Sequence, residues 1–135
     1  MRTRRATFGI VLLLLPTLAA ADIGKGELSS SGPTVVRLAV SPGTFEPRDL
    51  ELRPGRYIFM ITNQGVDHPI DFVLKRVEGQ DADGKADPRP VRGARLTRLI
   101  RNGETSSTPV VDLKAGSYTY VSPLNNTPEC SLIVR

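Results

Sequence analysis

The chain has 135 residues, 18 Lys and Arg against 14 Asp and Glu, one His, one Cys and no Trp. That length suits one domain around a single core, and a lone cysteine, Cys130, excludes an internal disulfide. One His and two Met also exclude zinc fingers, iron–sulfur sites and Met/His-rich copper carriers, which need several such ligands.

Residues 1–21 read as a secretory signal peptide. A basic start, Met1 to Arg5, precedes the apolar run Ala6 to Leu18, and Ala19-Ala20-Ala21 offers a small-residue cleavage site before Asp22. The run is shorter than the about 20 apolar residues of a spanning helix, and no cysteine near the cleavage point offers a lipid anchor. The expectation is a periplasmic or secreted chain, 22–135, without stable membrane insertion. The leader holds Arg2, Arg4 and Arg5 and no acid, so the remainder carries 15 basic against 14 acidic residues. Binding to nucleic acid through net charge loses its support.

Residues 22–33 form a polar, Gly/Ser-rich lead, expected to be flexible. Val36, Leu38 and Val40 then alternate as a strand, and Ser41-Pro42-Gly43 turns the chain. Leu50 and Leu52 alternate with charges as far as Arg53-Pro54-Gly55. Tyr57 to Thr62 is apolar on both faces, as in a central strand, and ends at Asn63-Gln64-Gly65. Ile70, Phe72 and Leu74 alternate with Asp71, Val73 and Lys75, which turns the even positions, His68 included, toward a core.

Residues 78–90 read as a long polar loop. In 91–101, Arg92, Arg95, Arg98 and Arg101 recur every three residues around Leu96, Leu99 and Ile100. A short helix fits this spacing, and a strand through Leu96 to Ile100 fits nearly as well. Gly103 to Leu113, Ser117 to Val121 and Ser131 to Val134 are further strands. Leu52-Arg-Pro-Gly55-Arg-Tyr57 is echoed by Leu113-Lys-Ala-Gly116-Ser-Tyr118, and a Gly then Tyr at a strand start suits a corner where the phenol bonds back to the backbone. About seven short strands with Pro and Gly turns predict an all-β, antiparallel Greek-key β-sandwich over 34–135.

No G-x-S-x-G or Walker-type loop is present, and a single His leaves no readable nucleophile–base pair, so no enzyme is expected. Asn63-Gln-Gly-Val-Asp-His68 and the strand after it resemble the first copper-ligand segment of cupredoxins, and Leu113 to Tyr120 with the closing Leu132-Ile-Val134 resembles their last hairpin. The resemblance covers roughly 34–135 and is nearest to the cupredoxin-like domains of EfeO-type periplasmic proteins linked to iron uptake. It implies an envelope role in metal uptake or redox handling. In the family's register Ser122 stands at the Cys ligand, Asn125 at the second His and Cys130 near the Met. A blue centre needs two imidazoles and a thiolate, and the resemblance therefore implies a fold without that ligand set.

Two readings of the site follow. In the first, His68 is a hydrogen-bonded histidine at the core edge, Cys130 is a buried thiol, and no cofactor is bound. The stiff turn Ser122-Pro-Leu-Asn-Asn-Thr-Pro-Glu129 then presents Leu124, with Ser122, Asn125 and Glu129, to another envelope protein. In the alternative, His68 and Cys130, with Asp67, Glu129 or water, hold one Cu or Fe ion in a non-blue site. The five arginines from Arg89 to Arg101 are a solvated face or a patch for an acidic partner. Asp81, Asp83 and Asp87 do not match an EF-hand.

Overall fold

A computed structural model describes residues 32–80, 84 and 86–135. The signal peptide expected over 1–21 and nearly all of the lead over 22–33 lie outside the described residues.

Among the described residues ten strands form two facing sheets. The first holds β1 (Thr34–Ser41), β2 (Thr44–Glu46), β4 (Gly55–Asn63), β7 (Thr105–Ser107) and β8 (Val111–Leu113). The second holds β3 (Asp49–Leu52), β5 (Val73–Gln80), β6 (Ala86–Arg95), β9 (Gly116–Val121) and β10 (Cys130–Val134). The order is β2-β1-β4-β7, with β8 also on β4, against β3-β10-β9-β5-β6. The expected all-β sandwich is the fold, but its sheets are mixed rather than wholly antiparallel. β1 runs parallel to β4, and β3 parallel to β10. After β2 the chain adds β3 to the other sheet and crosses back, so β4 arrives in the direction of β1. Only neighbours joined directly, such as β1 with β2 and β9 with β10, are forced antiparallel.

Alternation places Val36, Leu38 and Val40 of β1 and Tyr57, Phe59 and Ile61 of β4 in the core. Ile70, Phe72 and Leu74 are fully buried, as their spacing predicts. Four rings join the sheets. Phe45 stands edge-on to Phe72 at 6.1 Å and to Tyr120 at 5.4 Å, while Phe59 stacks on Phe72 at 5.5 Å. These are the offset and edge-to-face arrangements that ring quadrupoles favour.

The echoed Gly-x-Tyr segments mark the β3–β4 and β8–β9 connections, where the chain passes from one sheet to the other. Tyr57 Oη donates to the Arg53 carbonyl at 2.7 Å, and Tyr118 Oη donates to the Lys114 carbonyl at 2.8 Å. Each buried ring starts a strand while its hydroxyl closes the corner four residues back. At Gly116, φ is 155°, and a Cβ there would lie 3.4 Å from Arg76 Nη2, so glycine lets that guanidinium approach the strand start.

Three expectations are corrected. Residues 78–90 are not one loop, because β5 continues to Gln80 and β6 begins at Ala86. Pro88 and Pro90 are accommodated because β6 is an edge strand. Residues 91–101 form neither a helix nor a strand through Leu96 to Ile100. β6 runs to Arg95, bends follow, and Ile100 makes an isolated bridge to Ile70. The three-residue arginine period is overridden by pairing with β5, by burial of Ala94, and by a bulge between Pro90 and Arg95 in which Gly93 takes φ 77°. Finally, Gly103 to Leu113 is two strands, broken at Thr108-Pro109. Thr108 is buried and keeps β4 satisfied there: its amide donates to the Phe59 carbonyl at 2.9 Å, and its Oγ1 accepts from the Phe59 amide at 3.1 Å.

Candidate functional site

The connection from Asn63 to Phe72 and the loop 122–129 between β9 and β10 meet at one end of the sandwich. Asn63, fully buried at the end of β4, organises the first of them. Its Nδ2 donates to the carbonyls of Val66 (3.2 Å), His68 (3.3 Å) and Ile100 (3.3 Å), and its Oδ1 accepts from the Val66 amide at 2.9 Å. One side chain thereby replaces the ladder bonds that irregular backbone cannot make.

His68 does not turn inward as its parity predicts. Its side chain is about half exposed, at 48%. Bends and Pro69 separate it from β5, so strand alternation does not reach back to it. Nδ1 lies 2.9 Å from Asp67 Oδ1, and Nε2 lies 2.6 Å from the Leu124 carbonyl oxygen. A carbonyl and a carboxylate both accept, so this geometry suits an imidazolium that donates from both nitrogens. Asp67, then the Leu124 carbonyl, raise the His68 pKa above its ordinary value.

The loop is held from within and from β1. The Ser122 amide donates to Thr127 Oγ1 at 3.1 Å, the Asn125 amide to the Ser122 carbonyl at 3.1 Å, and Asn125 Nδ2 to the Ser41 carbonyl at 3.0 Å. Asn126 takes φ 39°, a positive value that Asn tolerates in a turn. Ser122, Asn125 and Thr127 are buried, and Ser122 Oγ has no hydrogen-bond partner. Leu124, whose carbonyl meets His68, leaves its side chain 50% exposed. Glu129 turns aside to Lys75, with Oε1 3.1 Å from Nζ.

Cys130 heads β10 directly opposite Tyr120 and is buried, as expected. Its Sγ donates to the Pro128 carbonyl at 3.6 Å, and Tyr120 Oη bonds to the Pro47 carbonyl. Burial pushes the Cys130 thiol up, with Asp49 adding to the shift and Arg48 opposing it. Burial also raises Tyr120. Cys130 is thus a protonated core thiol rather than a reactive thiolate.

Of the sequence-predicted residues, the structure brings His68 and Leu124 together and packs Ser122 and Asn125 in the same loop. Glu129 and Cys130 have separate partners. Among the described residues, no group of three or more His, Cys, Asp and Glu side chains gathers to hold a metal ion. Thr127 and Ser41 were not singled out by sequence. A Thr five residues after Ser122 in a proline-bracketed turn is a weak signal for the first, and the backbone role of Ser41 leaves none.

No family model matches the chain, and no curated protein matches it. Solved structures do. Auracyanin B is similar over 77% of this chain and 91% of its own, with 20% identity and a TM-score of 0.57. Auracyanin A, a "blue" copper protein from the green thermophilic photosynthetic bacterium Chloroflexus aurantiacus, is similar over 77% and 100%, with 16% identity and a TM-score of 0.55. An azurin (Az-iso2) from the obligate methylotroph Methylomonas sp. strain J is similar over 77% and 99%, with 17% identity and a TM-score of 0.55. The chain has a cupredoxin-like fold. No helix among its described residues is long and apolar enough to cross a membrane.

Proposed function

We propose that this chain is an exported, non-enzymatic cupredoxin-like module that lacks a type 1 copper centre and binds no cofactor. It acts by contact with another envelope protein, in the metal-uptake or redox-handling setting that the EfeO-type resemblance implies. The observation that carries this reading is the use of Leu124. Its carbonyl receives His68 Nε2 while Asp67 holds Nδ1, which engages both nitrogens through which an imidazole could bind a metal, and its side chain stands half exposed at the loop tip. The remaining donors do not suit a type 1 copper ion. Ser122 offers a neutral hydroxyl, the Asn125 amide is committed to Ser41, and the Cys130 thiol is turned to Pro128. A loop fixed by its own hydrogen bonds presents an apolar tip with little further loss of entropy on binding.

A photo-crosslinking residue at position 124 tests this in cells that express the protein. A discrete adduct from position 124, absent from position 133 on the exposed outer face of β10, is the expected result. Equal adducts from both positions, or none from 124, would contradict docking through Leu124.

A further inference from the structure

β9 begins at the Tyr118 corner and ends at the 122–129 loop, and Arg76 pairs with Tyr118 across β5 and β9. Arg76 therefore stands at the end opposite His68. A cleft of about 400 Å³ opens beside it, lined by Arg76, Arg89 and Arg92 from β5 and β6 and by Lys114 after β8. Among the described lining residues, Glu78 and Asp112 are the acidic ones, so basic groups exceed acidic ones there by two.

The acids do not answer all of the cations. Glu78 lies 3.6 Å from Arg76, and Asp112 lies 3.9 Å from Arg56, which is outside the lining. Among the described residues, the side chains of Arg92 and Lys114 have no hydrogen-bond or ion-pair partner. Arg76, by contrast, is positioned. Its Nη2 donates to the Ala115 carbonyl at 3.3 Å, and its guanidinium carbon lies 5.7 Å from the Tyr118 ring centroid.

A guanidinium fork fixed against a ring, with two uncommitted cations near it, matches a ligand that carries two anionic groups. The cleft also falls within the size of small-molecule sites, about 300–1,000 Å³. We infer that this cleft binds a small polyanion bearing two or more phosphate or carboxylate groups, with Arg76 as the fixed fork and Arg92 and Lys114 as the second set of donors. This site is independent of the Leu124 docking surface and stands or falls without it.

Calorimetric titration of the protein at low salt with pyrophosphate, and separately with citrate, tests the assignment. One saturable site for at least one of the two is expected. Tighter pyrophosphate assigns a phosphate-bearing ligand, and tighter citrate a carboxylate-bearing one. Arg92→Gln and Lys114→Gln should each weaken that binding roughly tenfold. Arg101→Gln, which removes the same charge outside the cleft, should leave it within about twofold. Arg76→Lys keeps the charge and removes the fork, and it should also weaken binding. The inference is overturned by no saturable binding of either anion, or by equal weakening in Arg101→Gln and the two cleft variants.

Discussion

The two ends of this sandwich solve the same problem with opposite outcomes. At the corner end, Tyr57 and Tyr118 bond the backbone four residues behind them, and the exposed side chains of Arg92 and Lys114 are left without partners among the described residues. At the loop end, Asn63, Asn125 and Thr127 spend their polar atoms on neighbouring backbone, His68 bonds the Asp67 carboxylate and the Leu124 carbonyl, and the apolar Leu124 side chain is left exposed. Local closure by i−4 bonds leaves side chains beyond the corner available for charge. A long irregular loop must recruit its own side chains to satisfy buried backbone, and few polar atoms are left for a ligand.

That comparison can be broken first at Asn63. Asn63→Leu removes the partners of the Val66 amide and of three carbonyls inside the loop end, and should cost about 3 kcal/mol of stability by denaturant titration. A loss no larger than that of a corner tyrosine would mean that the loop end does not depend on this side chain. The corners come next. Tyr57→Phe and Tyr118→Phe each delete one hydrogen bond and keep the ring, so each should lower stability by about 1 kcal/mol. A marked inequality between them would show that the echoed segments are not equivalent.

The pH dependence sharpens the account of the loop end. His68 is raised in the folded chain by Asp67 and the Leu124 carbonyl. A raised folded pKa stabilises fully below the unfolded value of about 6.5, and that contribution is lost as pH rises through the folded value. The only histidine of the chain gives one imidazole signal, and its NMR titration midpoint should lie above the ordinary value. His68→Gln should remove the corresponding decline of Tm with rising pH. A midpoint at or below the ordinary value would contradict the imidazolium. The smallest effect is expected at Leu124. Leu124→Asp should leave Tm unchanged, because its side chain is exposed, while abolishing capture of the partner that the crosslinker at position 124 identifies.

Much of the fold was legible because its signals are local. The period-two pattern of Val36, Leu38 and Val40, and that of Ile70, Phe72 and Leu74, marks core faces that need no tertiary information. The Gly-x-Tyr echo likewise names a bond between residues four apart. The parallel pairs β1/β4 and β3/β10 were not legible, since they depend on which sheet each crossing reaches. The arginine spacing in 91–101 misled because charge on one side says nothing about the bulge at Gly93 or the edge pairing with β5. Within the site, the burial expected of Cys130 held because β10 is a regular strand in which it shares a face with the buried Leu132 and Val134. The His68 parity failed because Pro69 and the bends before it interrupt the alternation. The corner cleft was invisible in sequence, as Arg76 meets the arginines of β6 by strand pairing within one sheet and Lys114 joins them from the connection that leaves the other sheet.

In the proposed function His68 is held by Asp67 and the Leu124 carbonyl rather than by a metal. A copper titration of the reduced protein, following bound metal per chain and the visible spectrum, tests it most directly. The account predicts no tight ion and no intense visible band, in the wild type and in His68→Ala alike. About one tightly bound ion per chain, lost in His68→Ala, would contradict it and make the loop end a metal site.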